Sequence, residues 1–438
     1  MYIYRVNEAL IFESFERPFV TAILGPRRVG KSILVSHYTQ NHPDRTWVFL
    51  NMDSLEERLR IEKGELVALI QEKCERRIGT GNKIWVVIDE AQKCPTLFDQ
   101  IKLLYDQYKD QEVIKFILTG SAFLTLHQLS AESLAGRIEL YHLKEFNLRE
   151  TLLLQHGKKL DSICLLDLLK QEIDIKQLQK MVEDYSPLRR LSEQSLYSLL
   201  AWGGLPEVLE KSETNQRLIY LSNYLQTYLE KDIRAITTIT DLNLYQKLIE
   251  ITAEQTGSVR QDKEIIEALG CSRDTLKKYR GIFLATLMYK EVYPFIGHSL
   301  RRLVKAPKGY LFDNGLMSYL TGVDDLSVLE KTGLIGHRFE NWFLKELQIW
   351  LNRDPKRSHV YYWRTTGGIE VDFVVEKKPL IYPFEVTYST HIQSKKIKNL
   401  VKFLEEEPKA KMGFYIYMGD FSYDEQTRIC FVPAWAIL

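Results

Sequence analysis

The sequence predicts an α/β protein organised around a parallel sheet covered by helices, and three observations carry that prediction. Short β-rich runs alternate with helical stretches through the first third of the chain. The apolar run Phe19 to Leu24 leads through the loop Gly25-Pro26-Arg27-Arg28-Val29-Gly30-Lys31-Ser32 into a helical stretch. A second apolar run, Ile84 to Ile88, ends in the acids Asp89 and Glu90.

Taken in order, strands are expected at Phe19 to Leu24, Trp47 to Leu50, Ile84 to Ile88 and Ile114 to Leu118, each followed by a helix. From about Asn147 to Lys231 the spacing turns helical, as in Leu196, Leu199 and Leu200, interrupted by Gly203-Gly204 and two prolines. This stretch reads as a helical lid or linker. From Asp241 to about Leu326 three helices precede a β-hairpin, and Ser272 is placed to cap the third helix, Arg273 to Phe283. The hairpin strands are expected near Met288 to Tyr293 and Tyr310 to Asp313. Beyond Gly333 come a helix (Phe339 to Leu351), strands at Val360 to Trp363, Glu370 to Val375 and Tyr382 to Val386, a basic helix, and a strand at Gly413 to Tyr417.

A chain of 438 residues exceeds the size at which one core keeps growing, so several domains are expected. Hydrophobic residues at 45% and charged residues at 27% are ordinary globular values, and no apolar run approaches the roughly 18 residues of a membrane span. The N-terminus lacks the basic, apolar and small-residue segments of a signal peptide, and the five scattered cysteines never stand as Cys-x-x-Cys. A cytoplasmic protein without membrane contact is expected. Lys plus Arg (59) balances Asp plus Glu (58), so only local clustering can name a charged partner.

The spacing Gly25-x-x-x-x-Gly30-Lys31-Ser32 suits a phosphate chain. Backbone N–H groups of the loop and the start of the following helix attract anions, and Gly25 and Gly30 are expected to supply the turns. Lys31 then reaches the β- and γ-phosphates and the Ser32 hydroxyl ligates Mg²⁺. Asp89 is placed to hold that ion through its water shell, and Glu90 to orient and deprotonate the attacking water. A third strand ends in Thr119-Gly120-Ser121, where Thr119 or Ser121 is a candidate sensor of the γ-phosphate and a plain turn is the rival reading. Arg137 is a candidate arginine finger, in its own subunit or across a subunit contact.

In order, Gly25 to Ser32, Ile88-Asp-Glu-Ala-Gln92, Leu118-Thr-Gly-Ser121, Ser133-Leu-Ala-Gly-Arg137, Gly203-Gly-Leu-Pro206 and Thr227-Tyr-Leu-Glu-Lys-Asp-Ile233 resemble the prokaryotic AAA-type P-loop ATP-binding proteins. That family joins an ATPase core to a winged helix and a C-terminal restriction-endonuclease-like domain. The resemblance implies a P-loop NTPase core over residues 1–146, a helical lid or linker over 147–232, a winged helix over 233–328 and a restriction-endonuclease-like α/β domain over 329–438. It also implies an additional strand between the phosphate-loop strand and the Asp-Glu strand, with Trp47 to Leu50 as the candidate.

Between residues 272 and 308, Arg273, Lys277, Lys278, Arg280, Lys290, Arg301, Arg302, Lys305 and Lys308 stand against only Asp274 and Glu291. A winged helix so charged can set its third helix in a major groove, which makes double-stranded DNA the candidate partner. A packing or oligomerisation module with solvated charges is the equal alternative. At the C-terminus, Glu340, Asp372 and Glu385 are ordered like the acidic metal ligands of a restriction-endonuclease-type site. That family pattern ends Glu-x-Lys, whereas this chain has Glu385-Val386-Thr387, and Lys395 or Lys396 is the candidate replacement. The expectation is a nuclease-like fold without cleavage.

The whole reading is an Mg²⁺-dependent ATP-binding and hydrolysing protein directed to DNA. The competing one is an ATP-controlled regulatory or signalling switch whose later domains make protein contacts. A homo-oligomer is left open.

Overall fold

The computed structural model describes residues 2–120, 134–160, 164–170, 173–233, 239, 241–296, 306–323, 325–354 and 358–438. The chain divides into two compact units, one running to Glu145 and the other from Phe146 to Leu438, with Ala285–Leu287 grouping with the first. Among the described residues no helix is long and apolar enough to cross a membrane.

The first unit is a parallel sheet of β1 (Val20–Leu24), β2 (Thr46–Asn51), β3 (Ile84–Asp89), β4 (Ile114–Gly120) and β5 (Ile138–His142), in the order β2-β3-β4-β1-β5. Residues two apart in a strand share a face. Ala22 and Leu24, Val48 and Leu50, Val86 and Ile88, and Phe116 and Leu118 therefore build one continuous apolar surface. Helices α3 (Leu55–Glu62), α4 (Leu66–Lys73) and α5 (Thr96–Tyr108) cover it with Ile61, Leu66, Leu69, Ile70, Leu97, Phe98 and Ile101. Each such fully buried side chain contributes about 1.5–3 kcal/mol relative to exposure. Helix α1 (Glu8–Glu16) precedes the sheet, and α2 (Lys31–Gln40) follows β1.

The strand between β1 and β3 is β4, not Trp47 to Leu50, which lies in β2 at the sheet edge beyond β3. The chain visits β4 last of these four, so sequence order misleads about spatial order. Strand β5 was not expected: it is a half-buried edge strand whose Ile-Glu-Leu-Tyr-His alternation is weakly apolar. Lys115, on β4, is 1% exposed, and its Nζ donates to the carbonyls of Ser14 (2.8 Å) and Arg17 (2.9 Å) where α1 ends. It thus satisfies acceptors that a helix terminus leaves open.

The second unit begins with helices Leu148–His156, Ile175–Tyr185, Arg189–Trp202, Pro206–Glu210 and Thr214–Thr227. The motif after Thr227 forms one π-helical turn, Tyr228–Ile233, and the buried hydroxyls of Tyr228 and Tyr245 lie 2.9 Å apart. Helices Leu242–Glu254, Asp262–Leu269 and Arg273–Ala285 follow, and Ser272 caps the last by accepting from the Thr275 N–H at 3.1 Å. Next comes the antiparallel pair β6 (Tyr289–Val292) and β7 (Lys308–Leu311). After helices Asn314–Thr321, Leu326–Lys331 and Ile335–Leu351, a mixed sheet forms from β8 (His359–Arg364), β9 (Glu370–Lys377), β10 (Leu380–Val386), β11 (Gly413–Tyr417), β12 (Ser422–Asp424) and β13 (Ile429–Pro433). Its order is β12-β13-β11-β10-β9-β8, and the Ser394–Glu406 helix packs Leu400, Phe403 and Leu404 on it.

A buried polar knot ties three of these helices together. The Asp313 carboxylate accepts from the N–H groups of Gly204 (2.8 Å), Gly315 (2.9 Å) and Leu316 (3.1 Å). Asn314 Nδ2 donates to the Leu199 and Arg338 carbonyls, and Asn341 Nδ2 donates to Asn314 Oδ1. The Gly203-Gly204 motif finds its reason here. Gly203 has φ 70°, and a Cβ on it would lie 2.1 Å from Asp313 Oδ1.

Candidate functional site

The loop from Gly25 to Ser32 leaves the C-terminal end of β1 and enters α2, whose first residue is Lys31. Gly30 (φ 97°) and Arg28 (φ 63°) hold the left-handed conformations that bend the loop. Gly25 does not, contrary to expectation. Its requirement is steric, because a Cβ there would meet the Leu143 carbonyl oxygen at 2.0 Å. Arg5, which no local pattern marks, braces the loop by donating to the carbonyls of Val29 (2.8 Å) and Lys144 (2.5 Å).

Lys31 is 7% exposed, and its ammonium is turned back on the loop, donating to the carbonyls of Gly25 (3.0 Å) and Pro26 (2.7 Å). Ser32 Oγ donates to Asp89 Oδ2 at 3.0 Å. From the neighbouring strand end, buried Thr119 donates through Oγ1 to Asp89 Oδ1, which also accepts the Glu90 N–H at 3.0 Å. Glu90 takes a left-handed backbone (φ 53°), and the Gln92 amide donates to its carboxylate. The edge formed by β1, β3 and β4 thus gathers Gly25 to Ser32, Asp89, Glu90 and Thr119. Ser121 and Ser133 lie outside the described residues.

Arg137 does not join them. It immediately precedes β5, and its carbonyl accepts the N–H of Val20 at 2.9 Å, which places it at the N-terminal edge of the parallel sheet. The phosphate loop leaves the other edge, about 16 Å away at about 3.3 Å per strand residue. Its guanidinium is paired with both oxygens of Asp106, at 2.7 and 3.0 Å, which holds the Asp106 carboxyl below its usual range. The own-subunit arginine-finger expectation is therefore overturned.

The donor set at this edge fits a nucleotide with Mg²⁺. A hydroxyl and a carboxylate, Ser32 and Asp89, are the hard oxygen ligands that this ion takes, and they meet where the loop enters α2, whose N-terminus favours an anion. Residues 17–152 match a family model described as an AAA domain. Together with the sheet order, that match settles the architecture. The first unit has the AAA-type P-loop NTPase fold.

Two further family models, both described as domains of unknown function, match residues 193–327 and 335–437. An uncharacterized protein of Mycobacterium tuberculosis is 24% identical over 98% of this chain and 83% of its own length. One of Haemophilus influenzae is 23% identical over 94% of this chain and 91% of its own. A Walker-type ATPase of Pyrococcus abyssi superposes with a TM-score of 0.45 and 16% identity, covering 73% of this chain and 96% of that one.

The second unit brings the three C-terminal acids into one region, but with lysines among them. Lys396, on the helix after β10, lies 2.7 Å from Asp372 Oδ2 and 2.9 Å from Glu385 Oε2, and donates to the Val386 carbonyl at 2.8 Å. Lys395 is exposed. Of the two candidate replacements for the lysine missing at Thr387, the geometry selects Lys396. Lys308, on β7, lies 3.2 Å from Glu340 Oε1, 2.5 Å from Glu370 Oε1 and 4.0 Å from Asp372 Oδ1. Tyr310 donates to Glu340 Oε1 at 2.6 Å.

These contacts set the ionisation. Burial alone raises the Asp372 carboxyl, but Lys396 and Lys308 outweigh it and hold it below the usual range. Burial, with the Asp372 charge, pushes Glu385 well up. Among the described residues no three His, Cys, Asp or Glu side chains are grouped to hold a metal ion. The metal-ligand expectation for Glu340, Asp372 and Glu385 is not met, because ammonium groups take the oxygens that a cation would need.

The basic segment is also thinner than its residue count. Arg280 is 8% exposed and pairs with Asp262 at 2.9 Å, and Lys308 is buried among the carboxylates. Arg273, Lys277, Lys278 and Lys290 are exposed, while Arg301, Arg302 and Lys305 lie outside the described residues.

Proposed function

We propose that the chain binds ATP with Mg²⁺ and hydrolyses it at the Gly25–Ser32 edge. The observation that carries this is the 3.0 Å hydrogen bond from Ser32 to Asp89, because it joins the loop and the acid-bearing strand at one point. Backbone N–H groups of the loop and the start of α2 receive the phosphates, and Lys31 leaves its loop carbonyls to meet them. Bound Mg²⁺ supplies charge neutralisation on the phosphate oxygens. Ser32 and Asp89 are the residues to hold it, with Thr119 fixing the Asp89 carboxylate. Glu90, steadied by Gln92, orients and deprotonates the water. Phosphate release measured with and without Mg²⁺ tests the reading: Lys31→Ala must abolish it, and activity surviving that change would sink the assignment. An arginine-finger role for Arg137 requires a second copy of the chain, for which the ATPase rate against protein concentration is the readout.

A contact with duplex DNA is favoured by one observation. The Arg273–Ala285 helix, third of three before the hairpin as in a winged helix, exposes Arg273, Lys277 and Lys278. Phosphate contacts through these side chains make binding fall steeply with salt. Reversing the three charges should remove binding to a random duplex at low salt, and unchanged binding would refute this face. The hairpin itself supports the switch reading, in which the module serves packing: Phe295 N–H donates to the Tyr362 carbonyl at 2.5 Å, and Tyr362 N–H to that of Tyr293 at 3.0 Å. The residues following β6 are thereby committed to β8.

A further inference from the structure

Four carboxylates converge in the second unit: Glu340 from the Ile335–Leu351 helix, Glu370 and Asp372 from β9, and Glu385 from β10. Asp372 is 8% exposed and Glu385 1%, so solvent screens them poorly. Carboxyls so placed are accommodated by keeping a proton, as Glu385 does, and by cations among them. A restriction-endonuclease-like reading would supply a divalent ion. This chain supplies Lys308 and Lys396.

Each lysine serves a distinct half of the cluster. Lys396 bridges Asp372 and Glu385. Lys308, 3% exposed, faces Glu340, Glu370 and the other oxygen of Asp372. Arg364 adds a more distant contact to Glu370 at 3.7 Å. Thr387 stands two residues beyond Glu385, on the same face of the strand direction. Its Oγ1 is buried with no hydrogen-bond partner among the described residues, so the position where a Glu-x-Lys pattern would place its ammonium holds a hydroxyl instead.

We infer that Lys308 is the built-in cation of this cluster, standing where a divalent ion would be drawn and excluding it. The ammonium arrives from β7, so the same contact fastens the β6–β7 hairpin to the C-terminal sheet. Two neighbours reinforce the fastening: Tyr310, also on β7, donates to Glu340, and Tyr362 of β8 donates to the Ala306 carbonyl at 2.7 Å. The cluster is then a clamp between the three-helix segment and the terminal sheet. This inference is independent of the ATPase reading.

The test is Mn²⁺ titration of the nucleotide-free full chain carrying Ser32→Ala, which removes the metal-binding hydroxyl of the other site. The parent should show no Mn²⁺ binding that depends on Asp372, and Lys308→Arg, which keeps the charge, should behave alike. Lys308→Met should gain one site at least about tenfold tighter, about 1.4 kcal/mol, that a further Asp372→Asn change removes. Mn²⁺ should also raise the unfolding temperature of Lys308→Met and not of the parent. Binding by the parent that Asp372→Asn abolishes would overturn the inference, as would a folded Lys308→Met chain with no gain. If Lys308→Met fails to fold by circular dichroism, the parent and Lys308→Arg titrations, each with and without Asp372→Asn, decide between exclusion and binding.

Discussion

Ser32 Oγ and Asp89 Oδ2 lie 3.0 Å apart, one at the first turn of α2 and the other at the end of β3. The two residues follow and end strands that are not neighbours, since β4 lies between β1 and β3, so the contact spans the end of β4. Strand β4 also brings Thr119 to the same edge, where its hydroxyl donates to the other oxygen of Asp89.

Glu90→Gln should bind ATP as the parent does and turn it over about 10²–10⁴-fold more slowly, the range typical for loss of a general base. The amide keeps the size of the side chain and cannot accept a proton. Fluorescent-nucleotide binding and single-turnover phosphate release separate the two effects. Parent-like turnover would remove Glu90 from its assigned role.

Thr119→Val should leave the sheet intact but remove one of the two hydrogen bonds that Asp89 Oδ1 accepts, leaving the Glu90 N–H, since the isosteric side chain has no hydroxyl to donate. A hydrogen bond to a charged acceptor contributes about 1.5–3 kcal/mol, so a lower thermal midpoint is expected. The Mg²⁺ concentration needed for half-maximal ATPase rate should rise. An unchanged Mg²⁺ dependence would show that Thr119 does not position Asp89.

What the sequence made legible follows from locality. Gly25 to Ser32 and Ile84 to Glu90 are contiguous strings whose chemistry and flanking strands can be read together, and the structure gathers them at one edge. The own-subunit alternative for Arg137 could not be weighed locally because its sequence neighbourhood carries no direction, while its strand runs parallel to β1 and starts at the far edge. Lys308 looked like one of a row of wing cations, since nothing local reveals that its ammonium faces acids from β9 and a later helix. Gly203-Gly204 had no visible purpose because Asp313, its partner, lies far along the chain.

Gly203→Ala should destabilise the second unit severely. The Cβ would fall on an Asp313 carboxylate pinned by three N–H groups, and the backbone is left-handed besides. Gly157, with φ 65° and nothing within 4 Å of its would-be Cβ, isolates the backbone contribution. Gly157→Ala should cost about 1–2 kcal/mol from backbone strain, and Gly203→Ala clearly more. Urea midpoints of the two variants compare them, and equal losses would show that the Asp313 contact carries no penalty.

Glu346 sets a pH dependence of stability. It is 1% exposed, its Oε1 accepts the Leu148 N–H at 2.7 Å and the Trp342 indole N–H at 3.0 Å, and its Oε2 is buried without a partner among the described residues. Burial, opposed by the Leu148 N–H and reinforced by the Glu150 charge, pushes the carboxyl from 4.5 up to about 8, against a small pull from Lys345. The folded chain therefore keeps a proton that the unfolded chain releases above pH 4.5. Its contribution is fully present below that value and is lost progressively as pH rises towards about 8. Glu346→Gln keeps the accepting oxygen and cannot ionise, so its unfolding free energy should fall less across this window. The two curves should separate with rising pH by an amount on the order of 4 kcal/mol at most, each pKa unit being about 1.4 kcal/mol. Urea titrations at pH 5, 6.5 and 8, set points chosen about the usual and shifted ranges, measure the divergence. Parallel curves would mean that Glu346 ionises alike in both states and that solvent reaches its second oxygen.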